Sequence, residues 1–134
     1  MLRRRMILAV LVVIVGAAGT LSAQRGRAWE LLGSRNVSDR ADHDTLTVTG
    51  SKGTFTAIKF EVRRKAVDFH RVVIHFGNGD DQKVELRNTI PAGGESRVID
   101  IEGRDRVIRS IDFWYDAKTL GRGGQATVRV LGRN

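Results

Sequence analysis

The chain contains no cysteine, one proline, one tyrosine and two tryptophans among its 134 residues. Without cysteine there is neither a disulfide to staple the fold nor a thiolate for nucleophilic or metal chemistry. Stability must therefore come from an apolar core. No P-loop, no dinucleotide-binding glycine fingerprint and no G-x-S-x-G turn occurs, so nothing points to phosphate loops or a serine nucleophile. The serines after the leader, Ser34, Ser38, Ser51, Ser96 and Ser110, have no partner set by spacing. The carboxylates are numerous, but none stands at a separation the sequence can fix, as a glycosidase pair requires. A convincing amphipathic helix of ten residues or more is also missing.

The only long apolar run is at the start. Arg3, Arg4 and Arg5 precede the apolar stretch Met6 to Ala18, and Leu21-Ser22-Ala23 supplies small residues near a cleavage point. This three-part layout is that of a secretory signal peptide over residues 1–23. Cleavage after Ala23 is expected, with Gly19 as a second position. The competing reading is an uncleaved membrane anchor, since no charge occurs from Met6 to Gln24. Gly16, Gly19, Thr20 and Ser22 dilute that span, however, and a membrane helix wants about 20 mostly apolar residues. The implied compartment is periplasmic or extracellular, in a bacterium.

Residues 24–134 then form a single domain, of a size that buries roughly 65% of its unfolded surface. Of the 23 lysines and arginines, three lie in the leader, leaving 20 against 15 acidic residues. This excess is spread along the chain, with Arg63-Arg64-Lys65 as its one run. A nucleic-acid partner wants clustered charge and stacking aromatics, so none is expected.

What the chain does have is period-two alternation. In Val107 to Asp116, Ile111, Phe113 and Tyr115 share one parity and Asp112, Trp114 and Asp116 the other. A pleated strand with one buried face needs that pattern, and its bulk makes this the expected central strand. Other strands are expected over Ala28–Gly33, Thr45–Thr49, Phe55–Arg63, Val67–Phe76, Val84–Leu86, Arg97–Ile101 and Ala126–Leu131. Gly33-Ser34-Arg35-Asn36 reads as a turn, Asn88 to Glu95 as a loop, and Gly77-Asn78-Gly79-Asp80-Asp81 as the strongest hairpin turn. Phe55 is out of phase with Ile58, Phe60 and Val62, which suggests a β-bulge near Thr56-Ala57. Val67 and Phe69 are out of phase with Val72, Ile74 and Phe76, which suggests another at His70-Arg71. Eight or nine short strands define an all-β chain, an antiparallel β-sandwich compatible with jelly-roll-like connections.

Three stretches, W-x-x-L-G at Trp29 to Gly33, G-x-F-x-x-I-x-F-x-V at Gly53 to Val62 and I-x-G-x-x-R-x-I-x-x-I-x-F-x-Y at Ile101 to Tyr115, occupy core and turn positions. With them the chain resembles a family of small secreted bacterial proteins catalogued as a domain of unknown function. The resemblance implies a shared β-fold and assigns no catalytic or binding residue.

Four groups of residues merit weighing as sites. Trp114 with Asp112 and Asp116 forms an aromatic plate flanked by carboxylates, a way to hold a glycan; packing under a loop is the competing explanation. Asp39, Asp42 and Asp44, with Asp80 and Asp81, offer oxygens for calcium but lack the spacing of a known loop. His43, His70 and His75 are candidate ligands or bases without a ligand spacing. Arg104, Arg106 and Arg109 suit an anionic envelope component, or simply a solvated rim. No metal or cofactor is expected. The reading is a secreted, non-enzymatic binding or envelope-associated interaction module, with Asp112, Trp114 and Asp116 as its ligand site. The alternative is a polysaccharide-active hydrolase or lyase of the cell envelope. Intact-mass analysis of the exported protein should find a mature chain beginning at Gln24; retention of residues 1–23 would favour the anchor.

Overall fold

The computed structural model describes residues 28–134, so the expected leader and its cleavage point lie outside the described residues. Ten strands follow in chain order: β1 (Glu30–Ser38), β2 (His43–Thr47), β3 (Thr54–Phe55), β4 (Ala57–Arg63), β5 (Val67–Phe76), β6 (Asp81–Val84), β7 (Asn88–Ile90), β8 (Ile99–Asp100), β9 (Arg106–Tyr115) and β10 (Gln125–Arg133). They form two antiparallel sheets. One has the order β1-β10-β4-β8, and the other β2-β9-β5-β6, with β3 also on β9 and β7 also on β5. Short 3₁₀ turns at Gly50–Lys52 and Ala117–Leu120 are the helical elements among the described residues. The two sheets pack as a sandwich, as the alternation requires.

The central strand is β9. It pairs with β2 through His43↔Trp114, with β5 through Val72↔Phe113, and with β3 through Thr54↔Val107. Ile111 and Phe113 are fully buried and Tyr115 nearly so, so the expected inward face is the observed one. Facing them from the other sheet is Phe60 of β4. Its ring meets Phe69 edge-on at 5.4 Å between centroids and Phe113 at 6.0 Å. Such edge-to-face pairs add about 0.5–1.5 kcal/mol each beyond the burial of their area.

The two parity slips have different causes. At His70-Arg71 there is a bulge: Phe69 pairs with Tyr115 and Arg71 with Trp114, leaving His70 as the extra residue. At Thr56 there is instead a change of sheet. Thr54 and Phe55 pair with β9, whereas Ala57 to Arg63 pair with β10. The Thr56 amide and hydroxyl both donate to the Arg133 carbonyl at the crossing, at 2.9 and 3.1 Å. Phe55 still points inward, packed against Gly132. A Cβ at that glycine would stand 2.6 Å from the Phe55 ring, so only glycine fits.

Several expected boundaries need correction, among them the strand over Val84–Leu86, which is β6 at Asp81–Val84. Gly33 to Asn36 is not a turn, because β1 continues through it to Ser38 with one register slip between Leu31 and Gly33. Turn-prone residues are held extended by pairing with β10, a tertiary override of local preference. The loop Asn88 to Glu95 contains β7, whose Ile90 pairs with Val67. Of Arg97 to Ile101 only Ile99 and Asp100 join a sheet, although Ile99 and Ile101 are both buried as expected.

A buried glutamine closes the edge at β6. Gln82 donates to the Asp100 carbonyl and accepts from the Glu102 amide, both at 2.9 Å. Both ends of its amide are thus satisfied, which is what lets it be buried.

Phe113→Ala should destabilise the domain by about 3–5 kcal/mol, the usual cost of emptying a buried aromatic site, and Asp112→Ala clearly less. Urea unfolding monitored by tryptophan fluorescence checks both; the reverse order would contradict the facing described here.

Candidate functional site

The outward residues of β9 lie on the outer face of the six-stranded sheet, between β2 and β5. Because the strands are in register, side chains line up in rows across them. In the first row His43 stacks on the Trp114 ring at 4.5 Å between centroids and 28° between planes. The guanidinium of Arg71 lies 4.0 Å from the centroid of the same ring. Since β2 and β5 flank β9, these partners approach Trp114 from opposite sides and cover both faces. The expected plate for stacking a sugar ring is therefore closed, and Trp114 offers an edge.

The second row centres on Asp112. It accepts a short hydrogen bond from the Thr45 hydroxyl, and its other oxygen is 2.7 Å from Nε2 of His75. Nδ1 of His75 stands 2.6 Å from Asp81. Nε2 of His43 lies 3.5 Å from Asp112. A histidine with a carboxylate on each ring nitrogen satisfies both only as the imidazolium. Accordingly the His75 pKa is raised, chiefly by the hydrogen bond to Asp112, against the opposing effect of burial. Burial alone would raise the Asp112 pKa, but the hydrogen bonds from Thr45 and His75 outweigh it and bring it below the ordinary value. This clamp ties β2, β9, β5 and β6 together.

Asp116 stands apart from Asp112. It follows the end of β9, and its carboxylate accepts from the Lys118 amide at 3.0 Å, capping the second 3₁₀ turn. With Asp42, His70, Trp114, Tyr115 and Lys118 it lines a pocket of about 320 Å³. Of the three expected ligand residues, the structure thus brings Trp114 and Asp116 to one pocket and leaves Asp112 in the clamp. Asp42 is held there by its main-chain carbonyl, which accepts from Tyr115 N, and by its carboxylate, which accepts from Ala117 N. The Tyr115 ring points into the core. Burial, then Asp44 and Asp42, push its pKa up.

The acidic set does not gather. Asp39 accepts from the Gly123 amide, Asp42 from Ala117, and Asp44 from Arg35 and Thr45. Asp80 binds Asn78 and Arg106, which lower its pKa, while Asp81 belongs to the His75 clamp. The histidines separate as well, with His43 on Trp114, His75 in the clamp and His70 at the pocket. Arg106 is anchored by Asn78, Asp80 and the face of Phe76. Arg104 sits in a left-handed turn beside a different depression, and Arg109 is exposed on β9. The arginines form no common patch.

Asp68 and Lys118 escaped the sequence reading. Asp68 shares the outward parity of His70 just before the bulge, a signal visible in hindsight; Lys118 had none. A larger depression of about 720 Å³ lies toward the opposite end of β9, where Glu30 and Lys52 face each other at 3.9 Å. Its two charged side chains face each other, whereas the smaller pocket gathers Asp42, His70, Asp116 and Lys118 and is the better candidate.

These features define an antiparallel β-sandwich domain with a polar outer sheet face and a small pocket at the end of its central strand. The chain belongs to the family described as a domain of unknown function, DUF2541, whose model matches residues 6–132. No curated protein matches it. Among solved structures it is similar to AlgX of Pseudomonas aeruginosa, with 16% identity and a TM-score of 0.48 over 83% of this chain and 27% of that one. The chain thus spans about a quarter of AlgX. It is also similar to the prophage-derived protein YomS, with 11% identity and a TM-score of 0.42 over 79% and 91% of the two chains. A family 29 carbohydrate-binding module has 15% identity and a TM-score of 0.37 over 81% of each. At these identities and TM-scores nothing about this chain follows from the likeness.

The clamp makes stability depend on pH. The raised His75 pKa contributes fully below about 6.5, and that contribution fades as pH rises through the native value. The lowered Asp112 pKa contributes above about 3.8 and is lost as pH falls through its native value. Asp112→Asn should cost about 1.5–2 kcal/mol at pH 6, at the low end of the range for hydrogen bonds to charged groups. It should also flatten the decline above about pH 6.5 in urea titrations; an unchanged pH profile would contradict the clamp.

Proposed function

We propose that this chain is an exported, non-enzymatic binding module of the bacterial envelope or extracellular space. Its ligand is one unit of a neutral glycan, held in the pocket at the end of β9. The observation that supports this reading is the composition of that pocket. Carboxylates from Asp42 and Asp116, the Trp114 edge, the His70 ring and Lys118 surround about 320 Å³, near the lower end of the ~300–1,000 Å³ typical of small-molecule sites. Carboxylates accept hydroxyl protons, and the lysine ammonium donates to ring or hydroxyl oxygens. Two lining carboxylates, with Asp68 close behind them, face a single lysine, and that balance disfavours an anionic polymer.

Both nitrogens of His75 are engaged by carboxylates, and Asp112 is engaged by Thr45 and His75, so this group serves the sheet rather than a reaction. The leader-like segment at residues 1–23 supports export.

Affinity electrophoresis through neutral and acidic polysaccharides tests the reading. Retention by a neutral polymer is expected, weakened about tenfold in Asp116→Asn, equivalent to the loss of roughly 1.4 kcal/mol. Retention by acidic polymers or anionic lipid alone would overturn it, as would turnover of the retained polymer.

A further inference from the structure

We propose that Asp68, His70 and Asp116 form a zinc site on the wall of this pocket. One ligand atom from each lies within 4.8 Å of the others. The donors are one imidazole nitrogen and two carboxylate oxygens. That mixture suits zinc, whereas calcium takes oxygens alone.

Four features of the local structure argue for a ligand set rather than a chance grouping. First, Nε2 of His70 stands 4.0 Å from the Asp68 carboxylate, too far for a hydrogen bond. It is about half an ångström longer than the roughly 3.3–3.6 Å between two ligands of one tetrahedral zinc ion, a gap that a small side-chain rotation spans. The ring is about half exposed, and zinc binding requires it to turn so that all three donors converge on one ion. Second, each carboxylate already has one oxygen held. The Thr89 hydroxyl donates to Asp68 at 3.1 Å, and the Lys118 amide donates to Asp116 at 3.0 Å. The second oxygen of each is left for an ion, and outer partners of this kind are what orient metal ligands. Third, the two aspartates are tied through the main chain, Asp116 N donating to the Asp68 carbonyl at 2.9 Å. Fourth, the bulge in β5 inserts His70 as an unpaired residue on the outer face, on the same side as Asp68. Bulges commonly re-aim a side chain in this way.

Three protein ligands leave a coordination position open toward the pocket for water or a bound group. Lys118 lines the same pocket, and its ammonium opposes a cation, so it limits the affinity.

The proposal does not rest on the glycan reading, and zinc alone is the probe. Calorimetric titration of the full chain should give one zinc per protein, and cobalt substitution should give a visible band. His70→Ala and Asp68→Asn should each weaken zinc at least tenfold. Thr89→Val should weaken it about tenfold through the outer partner. Lys118→Ala should tighten it several-fold, and His43→Ala should leave it unchanged. All these side chains are at least partly exposed, and matching near-ultraviolet circular dichroism confirms that the variants fold. Absence of a saturable one-to-one site, an unaffected His70→Ala variant, an equal loss in His43→Ala, or binding of calcium in preference to zinc would overturn the proposal.

Discussion

The contact of Phe60 with Phe69 and Phe113 is the constraint on which the rest of the structure depends. It is where the two sheets meet, and all three rings are fully buried. With no disulfide available, this interdigitation supplies the cross-layer grip. It also sets the phase of β9. Once Phe113 is inward, Asp112 and Trp114 must be outward, and the polar rows of the outer face follow from the pleat.

Those rows brace the outer face and do not lie open on it. Trp114 is held between His43 and Arg71, and Asp112 gathers a hydroxyl and an imidazolium from the strands on either side. Cross-strand pairs of this kind are the unit of sheet stabilisation. Chemistry is therefore displaced to the end of the strand. There the pairing stops, Asp116 turns the chain, and side chains from β5 and from the segments flanking β2 and β9 meet around a small hollow.

Much of this was legible in residue order. Alternation placed the core, and the slip at His70-Arg71 located a bulge from parity alone, because a shift of one residue exchanges faces. The slip at Thr56 carried an equal signal with a different meaning. Parity reports that the chain has changed phase, but not whether it stays with its neighbour or moves to the other layer. Gly33 to Asn36 misled because Gly, Ser and Asn favour turns locally, while the partner that straightens them, β10, lies about ninety residues away. The site suffered most from this limit. Asp112, Trp114 and Asp116 share a parity, yet a parity ends with its strand, and Asp116 is already past the end of β9. Its neighbours Asp68 and His70 come from β5 through pairing that no local spacing encodes.

The position of β10 has a consequence for the nascent chain. It follows every other strand in sequence, yet it lies between β1 and β4 and holds both. The smaller layer thus has no middle until that segment has been synthesised. Until then β1 has no edge to join, and Phe60 sits on a ribbon that cannot close. Such late, distant pairing slows folding, so the smaller layer closes only once its last strand has been made.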